Sequence, residues 1–314
     1  MRPSLINRNK LPTEFTCSAI AFLGRSSFEE RCFSAYDALT ECNFVSKRFL
    51  VSSEEANEAK ELRKKYGIAS DKTRIVDTND PLQTQRTIAN EVSALRVLKG
   101  EYSIVLDITS FRREELLLLV GSLSKVGRDQ LKKTHFVYSK ASAMGDWLSN
   151  NVREVRSVVG FPGEVSNAKK THLMLLVGIE HHRALAIIQA YEPYSISLGM
   201  VPKDKSVNEE IYERNRQLTD WLIRHFDQVR RVFDFPATDP SELKKILEML
   251  TSELNEFNVV IAPLNSKLST LAVGAFAIEH PQIQLCYAEV DVYNAGDYSQ
   301  PSEDIVWVPA SDIL

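Results

Sequence analysis

Two short loops in each half of this chain carry residue types that can do chemistry. In the first half, Gly24-Arg-Ser-Ser-Phe-Glu-Glu-Arg31 and Asp107-Ile-Thr-Ser-Phe-Arg112 set Arg25, Ser26, Thr109, Ser110 and Arg112 close to carboxylates. In the second half, Gly178-Ile-Glu-His-His-Arg183 and Ala262-Pro-Leu-Asn-Ser-Lys267 supply Glu180, Arg183, Asn265, Ser266 and Lys267. Each loop leaves an apolar run and leads into a helical pattern. Helix starts present unpaired N–H groups and the positive end of the dipole. Thr109, Ser110, Asn265 and Ser266 can donate to phosphate or ribose oxygens, and Arg112 and Lys267 can neutralise phosphate. An acid near the strand exit, such as Glu180, can accept from a ribose hydroxyl or a base amine. That combination suits a nucleotide. The plainer alternative is local: hydroxyl residues before a helix are good caps, and Arg31 and Arg183 can pair with local acids on exposed helix faces.

Asp107 is the candidate for catalysis. It ends an apolar run, and its counterpart in the second half is Ala262. With Glu29 or Glu30 it could form a carboxylate pair for acid–base work on a glycosidic or phosphate bond, with Asp107 and Glu30 as the leading pair. The alternative is that Asp107 caps the next helix or pairs with Arg112 or Arg113. Other chemistries find little footing. Gly24 and Gly178 are not followed by Gly-x-x-Gly, and no Walker A loop is present. Dehydrogenase-type NAD(P) binding and P-loop ATP hydrolysis are therefore not expected, and no cofactor is. His181 and His182 are adjacent and point apart on a helix, so no metal site is expected. Cys17, Cys32, Cys42 and Cys286 form no Cys-x-x-Cys pair and read as reduced thiols, with Cys32 a packing residue. No Gly-x-Ser-x-Gly elbow presents a serine nucleophile. Trp147 and Tyr298 could stack on a base or anchor the closing segment of each half.

The elements that must position these loops appear twice. The run Ser18-Ala-Ile-Ala-Phe-Leu-Gly24 faces His172-Leu-Met-Leu-Leu-Val-Gly178, and Tyr102-Ser-Ile-Val-Leu-Asp107 faces Asn258-Val-Val-Ile-Ala262. Gly145-Asp-Trp-Leu-Ser149 faces Gly296-Asp-Tyr-Ser299, so three landmarks repeat at a nearly constant spacing of about 150 residues. The first half reads as strands at 19–24, 48–51, 74–77, 103–108 and 135–138. Helices are expected at 28–38, 54–66, 81–100 and 113–125, the first opened by the Ser26-x-x-Glu29 capping box. The second half reads as strands at 173–177, 195–200, 231–235, 259–262 and 283–287, with helices at 183–190, 207–226, 239–256 and 268–278. Strands alternating with helices mean a mostly parallel, covered sheet. The expected fold is α/β: two tandem Rossmann-like units from an internal duplication, at 1–163 and 164–314, divided in the turn-rich stretch after Pro162. Residues 1–15 read as a strap or loose arm.

Composition sets limits on partners. The chain has 314 residues and a net charge of −4, so nothing drives general binding to duplex DNA or an anionic membrane. The beginning lacks the apolar core of a secretion signal, and no apolar run is long enough to span a bilayer. A cytoplasmic protein is expected.

The segment Leu106-Asp-Ile-Thr-Ser-Phe-Arg112-Arg-Glu-Glu-Leu resembles the strand-four region of CRISPR-associated Rossmann-fold (CARF) domains. Ile261-Ala-Pro-Leu-Asn-Ser-Lys267-Leu-Ser-Thr-Leu-Ala is similar. The related SAVED domains contain two such units fused. The resemblance implies a nucleotide or cyclic oligonucleotide ligand held by the loops after strands one and four. These contain Gly24, Arg25, Ser26, Thr109, Ser110, Arg112, Gly178, Glu180, Arg183, Asn265, Ser266 and Lys267. It also implies a sensor in bacterial antiviral defence acting through a homodimer or an effector protein, because no output enzyme is evident in the chain. Neither half has the Gly-Thr-Lys form of that loop. Two other readings stand beside it: an enzyme cleaving a nucleotide or NAD-type substrate with Asp107 and Glu30, or a scaffold subunit in which the apolar helix at 116–120 is an interface.

Overall fold

A computed structural model of the chain describes residues 3–15, 19–206 and 208–314. Cys17 and Ser18, and the first residue of the helix expected at 207–226, lie outside them. Thirteen strands are described: β1 (Ser4–Asn7), β2 (Ala19–Arg25), β3 (Phe44–Ser52), β4 (Thr73–Val76), β5 (Tyr102–Asp107), β6 (Thr134–Met144), β7 (Ser149–Pro162), β8 (Lys170–Leu176), β9 (Ser195–Met200), β10 (Val229–Asp234), β11 (Phe257–Pro263), β12 (Gln284–Tyr293) and β13 (Ser299–Pro309).

They form two sheets. The first has the order β1-β13-β6-β5-β2-β3-β4 and the second β10-β9-β8-β11-β12-β7. In the first, β6, β5, β2, β3 and β4 run parallel, and β13 lies antiparallel on β6. In the second, β12, β11, β8, β9 and β10 run parallel, and β7 lies antiparallel on β12. Helices join successive parallel strands, as the sequence pattern requires. The protein is therefore α/β with two mostly parallel Rossmann-like sheets.

Local sequence explains most of these elements. The parallel strands are apolar because both faces are covered: Ile20, Phe22, Phe49 and Val105 form the first core with Phe33 and Leu39. Leu173, Leu175, Ile196, Leu198 and Val260 form the second with Ile187 and Leu222. Asp80 and Asp239 each stand before a proline and accept the third helical N–H, from Gln83 at 2.9 Å and Glu242 at 3.0 Å. Those two Asp-Pro pairs start the helices Pro81–Arg96 and Pro240–Ser252.

The units are not cut at Pro162. One comprises Met1–Asp146 with Asn294–Leu314, the other Trp147–Tyr293. Residue 163 follows directly on β7, which belongs to the second sheet. Each sequence repeat thus gives its last strand to the sheet of the other: β7 follows β6 but pairs with β12, and β13 follows β12 but pairs with β6. Both strands escaped the sequence reading because they run antiparallel, outside the continuous apolar parallel strands, and carry many polar residues along their length. Within the expected strap or loose arm at 1–15, the described residues 3–15 are a strap. β1 pairs with β13, and the 3₁₀ segment Arg8–Phe15 buries Leu11 and Phe15.

Candidate functional site

In both sheets the strand order reverses at one place, between β2 and β5 in the first and between β8 and β11 in the second. That reversal opens the crevice at the carboxyl ends of parallel strands where α/β sheets take ligands. It brings together the two loops named from sequence in each half. In the first unit Ser110 Oγ donates to the Arg25 carbonyl, and the Arg25 guanidinium lies 2.7 Å from Glu115. In the second unit Asn265 Nδ2 donates to the Val177 carbonyl at 2.6 Å. A Cβ on Gly178 would stand 2.0 Å from the Leu264 carbonyl oxygen, so only glycine permits this approach of β8 to the loop after β11.

Asp107 ends β5, beside the first reversal in strand order, and is 1 % exposed. Its Oδ1 accepts from the Thr109 amide at 3.0 Å and from the Thr109 hydroxyl, which in turn accepts from the Ser139 amide at 2.9 Å. Its Oδ2 is buried and has no hydrogen-bond partner, like Ser26 Oγ and Ser139 Oγ. Burial pushes the Asp107 carboxyl up to about 7, against the bonds from Thr109 and the charge of Arg31; Glu29 adds to the rise. Asp107 caps no helix. Arg112 precedes the helix Arg113–Leu123, and its amide donates to Glu115 Oε2 at 2.8 Å. Ala262 at the matching strand end has no titratable group.

Asp107 and Glu30 are not brought together. Glu30 is exposed and holds Lys65 Nζ at 2.7 Å, while Glu29 is the buried neighbour. The helix expected at 28–38 is accordingly a 3₁₀ turn, Glu30–Phe33, followed by the short helix Ser34–Ala38. The capping box does not form, because Glu29 is engaged elsewhere.

Its engagement is a cluster that the sequence did not reveal. Arg31 is 3 % exposed, and all three of its guanidinium nitrogens are bonded. Nε donates to Ser299 Oγ at 2.9 Å, one terminal nitrogen to the Ser139 carbonyl at 2.9 Å, and the other to Glu29 Oε2 at 2.8 Å. Ser299 Oγ donates to Glu29 Oε2 at 2.9 Å, and the guanidinium carbon lies 5.9 Å from the centre of the Tyr138 ring. Burial pulls the Arg31 pKa down, but Glu29 and Tyr138 outweigh it and hold it above its usual value.

The second unit repeats the arrangement. Arg183 Nε lies 3.3 Å from Ser149 Oγ and 3.4 Å from Glu180 Oε1, and a terminal nitrogen donates to the Ala288 carbonyl at 3.2 Å. Ser149 Oγ bonds Glu180, and the Arg183 guanidinium lies 5.9 Å from the Tyr287 ring centre. One member is new: His182 Nε2 stands 3.3 Å from Ser149 Oγ, and burial lowers its pKa. Ser149 thus donates to Glu180 and accepts from Arg183, with His182 Nε2 beside it. Ser149 and Ser299 end the Gly-Asp-aromatic-Ser landmarks, which gives those repeated residues a structural reason.

The expected binding residues therefore divide by access. Gly24, Arg25, Ser26, Thr109, Ser110, Gly178, Glu180 and Arg183 are buried, whereas Arg112, Asn265, Ser266 and Lys267 are half-buried at the helix starts. Ser266 caps the helix Lys267–Glu279 by accepting the Ser269 amide at 3.0 Å. Tyr298 packs edge-on against Phe28 as an anchor, with ring centres 5.4 Å apart, and Trp147 is exposed. Cys32 is buried, and burial drives its thiol pKa well above normal, as expected of a packing residue. The apolar side chains at 116–120 are covered within the chain, which removes the observation that favoured a scaffold. Glu248, Glu279 and His280 bring possible metal ligand atoms within 4.8 Å of one another, but Glu279 already holds Lys244 at 2.7 Å. Among the described residues no helix is long and apolar enough to cross a membrane.

No protein-family model matches this chain, and no curated protein matches it significantly.

Proposed function

We propose that the protein binds a nucleotide-class ligand, a mononucleotide or a cyclic oligonucleotide, at the carboxyl ends of its parallel strands and serves as a sensor. The observation that carries this reading is the repeated reversal in strand order, with a hydroxyl- or amide-bearing loop and a half-buried cation at the helix start beside it in each unit. Arg112 and Lys267 are the phosphate-facing groups in this reading. The resemblance to CARF and SAVED domains extends it to antiviral defence, with ligand binding read out by a second copy or an effector protein.

A hydrolytic reading keeps one support: a carboxyl with a pKa of about 7, with one oxygen lacking a partner, at the expected place. It loses Glu30 as the second acid.

The test is native mass spectrometry of the purified chain, followed by a thermal-shift panel of linear and cyclic nucleotides. Sensor function predicts a co-purifying or added nucleotide that raises the melting temperature, with affinity reduced tenfold or more in Arg112→Ala or Lys267→Ala, roughly the loss of one charged hydrogen bond. A chain that no nucleotide shifts would overturn the reading. Turnover abolished in Asp107→Asn with binding retained would favour the hydrolase.

A further inference from the structure

The two Arg–Glu–Ser clusters occupy an informative place. In each, the glutamate and arginine belong to the loop and first helical turn after the first parallel strand. The serine belongs to the segment by which the chain enters that unit from the other: Ser299 opens β13 and Ser149 opens β7. β13 is already held by its pairing with β6, from Ser299 opposite Met144 to Pro309 opposite His135. β7 is likewise held by β12 from Ser149 opposite Tyr293 onward.

We infer that each cluster is a latch that couples the conformation of the loop after the first strand to the segment through which the chain passes between units. Arg31 and Arg183 are positioning residues rather than ligand contacts. The argument runs from the bonding. Arg31 holds a carboxylate of its own loop, a serine of the entering strand and a carbonyl of β6 at once. The Ser299 hydroxyl closes the ring onto the same glutamate oxygen. A displacement of Glu29 breaks two bonds to Ser299 and Arg31 together, and leaves a buried charge without its partner. The loop therefore cannot rearrange while the start of β13 remains in place. The same holds for Glu180, Arg183 and Ser149 at the start of β7. Gly145 narrows the freedom of the first crossing further, because a Cβ there would meet the Asp297 carbonyl oxygen at 1.9 Å.

The biological use of the latch rests on the reading of these loops as ligand loops, but the coupling is a property of the ligand-free chain and is tested there. Hydrogen exchange would be followed by mass spectrometry on the full chain, in Ser299→Ala and Ser149→Ala. The amides of Ser26 and Cys32, bonded to Leu50 and Glu29, report on the first loop, and that of Gly145, bonded to Tyr298, on the first crossing. Ser299→Ala is expected to speed exchange roughly fivefold or more both at 26–33 and at 145 and 299–305. It should leave 178–184 unchanged. Ser149→Ala is expected to act at 178–184 and 149–155 and to spare 26–33. Ser299→Thr, which keeps the hydroxyl, should restore the original rates. Faster exchange confined to the segment carrying the substitution, or no rescue by threonine, would overturn the latch. A nucleotide panel without binders would remove the sensor reading and leave the exchange result standing.

Discussion

The two units share their strand order and their latch but differ at the crevice. The first has Asp107, buried with one oxygen lacking a partner, where the second has Ala262. The second has His182 turned toward its serine, where the first has Glu30 turned to the surface and Lys65. What the units hold in common is the machinery that closes each sheet. What separates them is titratable chemistry at the strand ends. A fold written twice can thus keep one framework and place different groups in its two crevices, and function belongs to those groups rather than to the framework.

The comparison can be broken most sharply at the latches. Arg31→Met and Arg183→Met each remove the cation beside a buried glutamate and should each cost about 3–5 kcal/mol in denaturant unfolding. If only one of the two did so, the clusters would not be equivalent. Next comes the glycine pair at the strand exits. Gly178→Ala should cost on the order of 2–3 kcal/mol, because backbone must move away from the new methyl. At Gly24 the nearest atoms are the edge of the Phe22 ring at 2.9 Å, so Gly24→Ala should cost less.

Asp107 gives the comparison a pH axis. Its folded pKa, about 7, exceeds the ordinary 3.8, so between these values the native chain holds a proton that the unfolded chain has lost. This residue's contribution to stability is complete below pH 3.8 and declines as pH rises through 7. Asp107→Asn should remove that slope and be more stable than wild type at pH 8. Ala262→Ser should leave the pH profile of unfolding unchanged. The smallest effect is expected at Glu30→Gln, which should leave the melting temperature within error of wild type. A large loss there would place Glu30 in the crevice after all.

Much of this architecture was legible in the sequence. The parallel strands announce themselves because burial on both faces demands continuous apolar runs, as in 19–24 and 173–177, and Asp80-Pro81 and Asp239-Pro240 mark helix starts by cap chemistry. The loops of the crevice were legible because they follow those runs. The antiparallel strands were not. β7 and β13 are polar over much of their length, and their partners lie in the other sequence repeat. The latch was hidden for a related reason: Arg31 and Ser299 are 268 residues apart, and nothing local in either distinguishes a buried ion-pair partner from a surface residue. The Gly-Asp-aromatic-Ser repeat was the single local trace of it.

The exchange of last strands also fixes an order of events during synthesis. The chain leaves the ribosome from its beginning, and domains close as their strands become available. The sheet begun first is finished last: β6 must wait for β13, while every strand of the second sheet, β7 to β12, has already been made. Until then β6 is an open edge, able to pair with strands of other chains. The nascent protein is thus most exposed to misassembly just before β13 is made. Truncations that remove residues 299–314 should be aggregation-prone in proportion, although they leave the whole second unit in place.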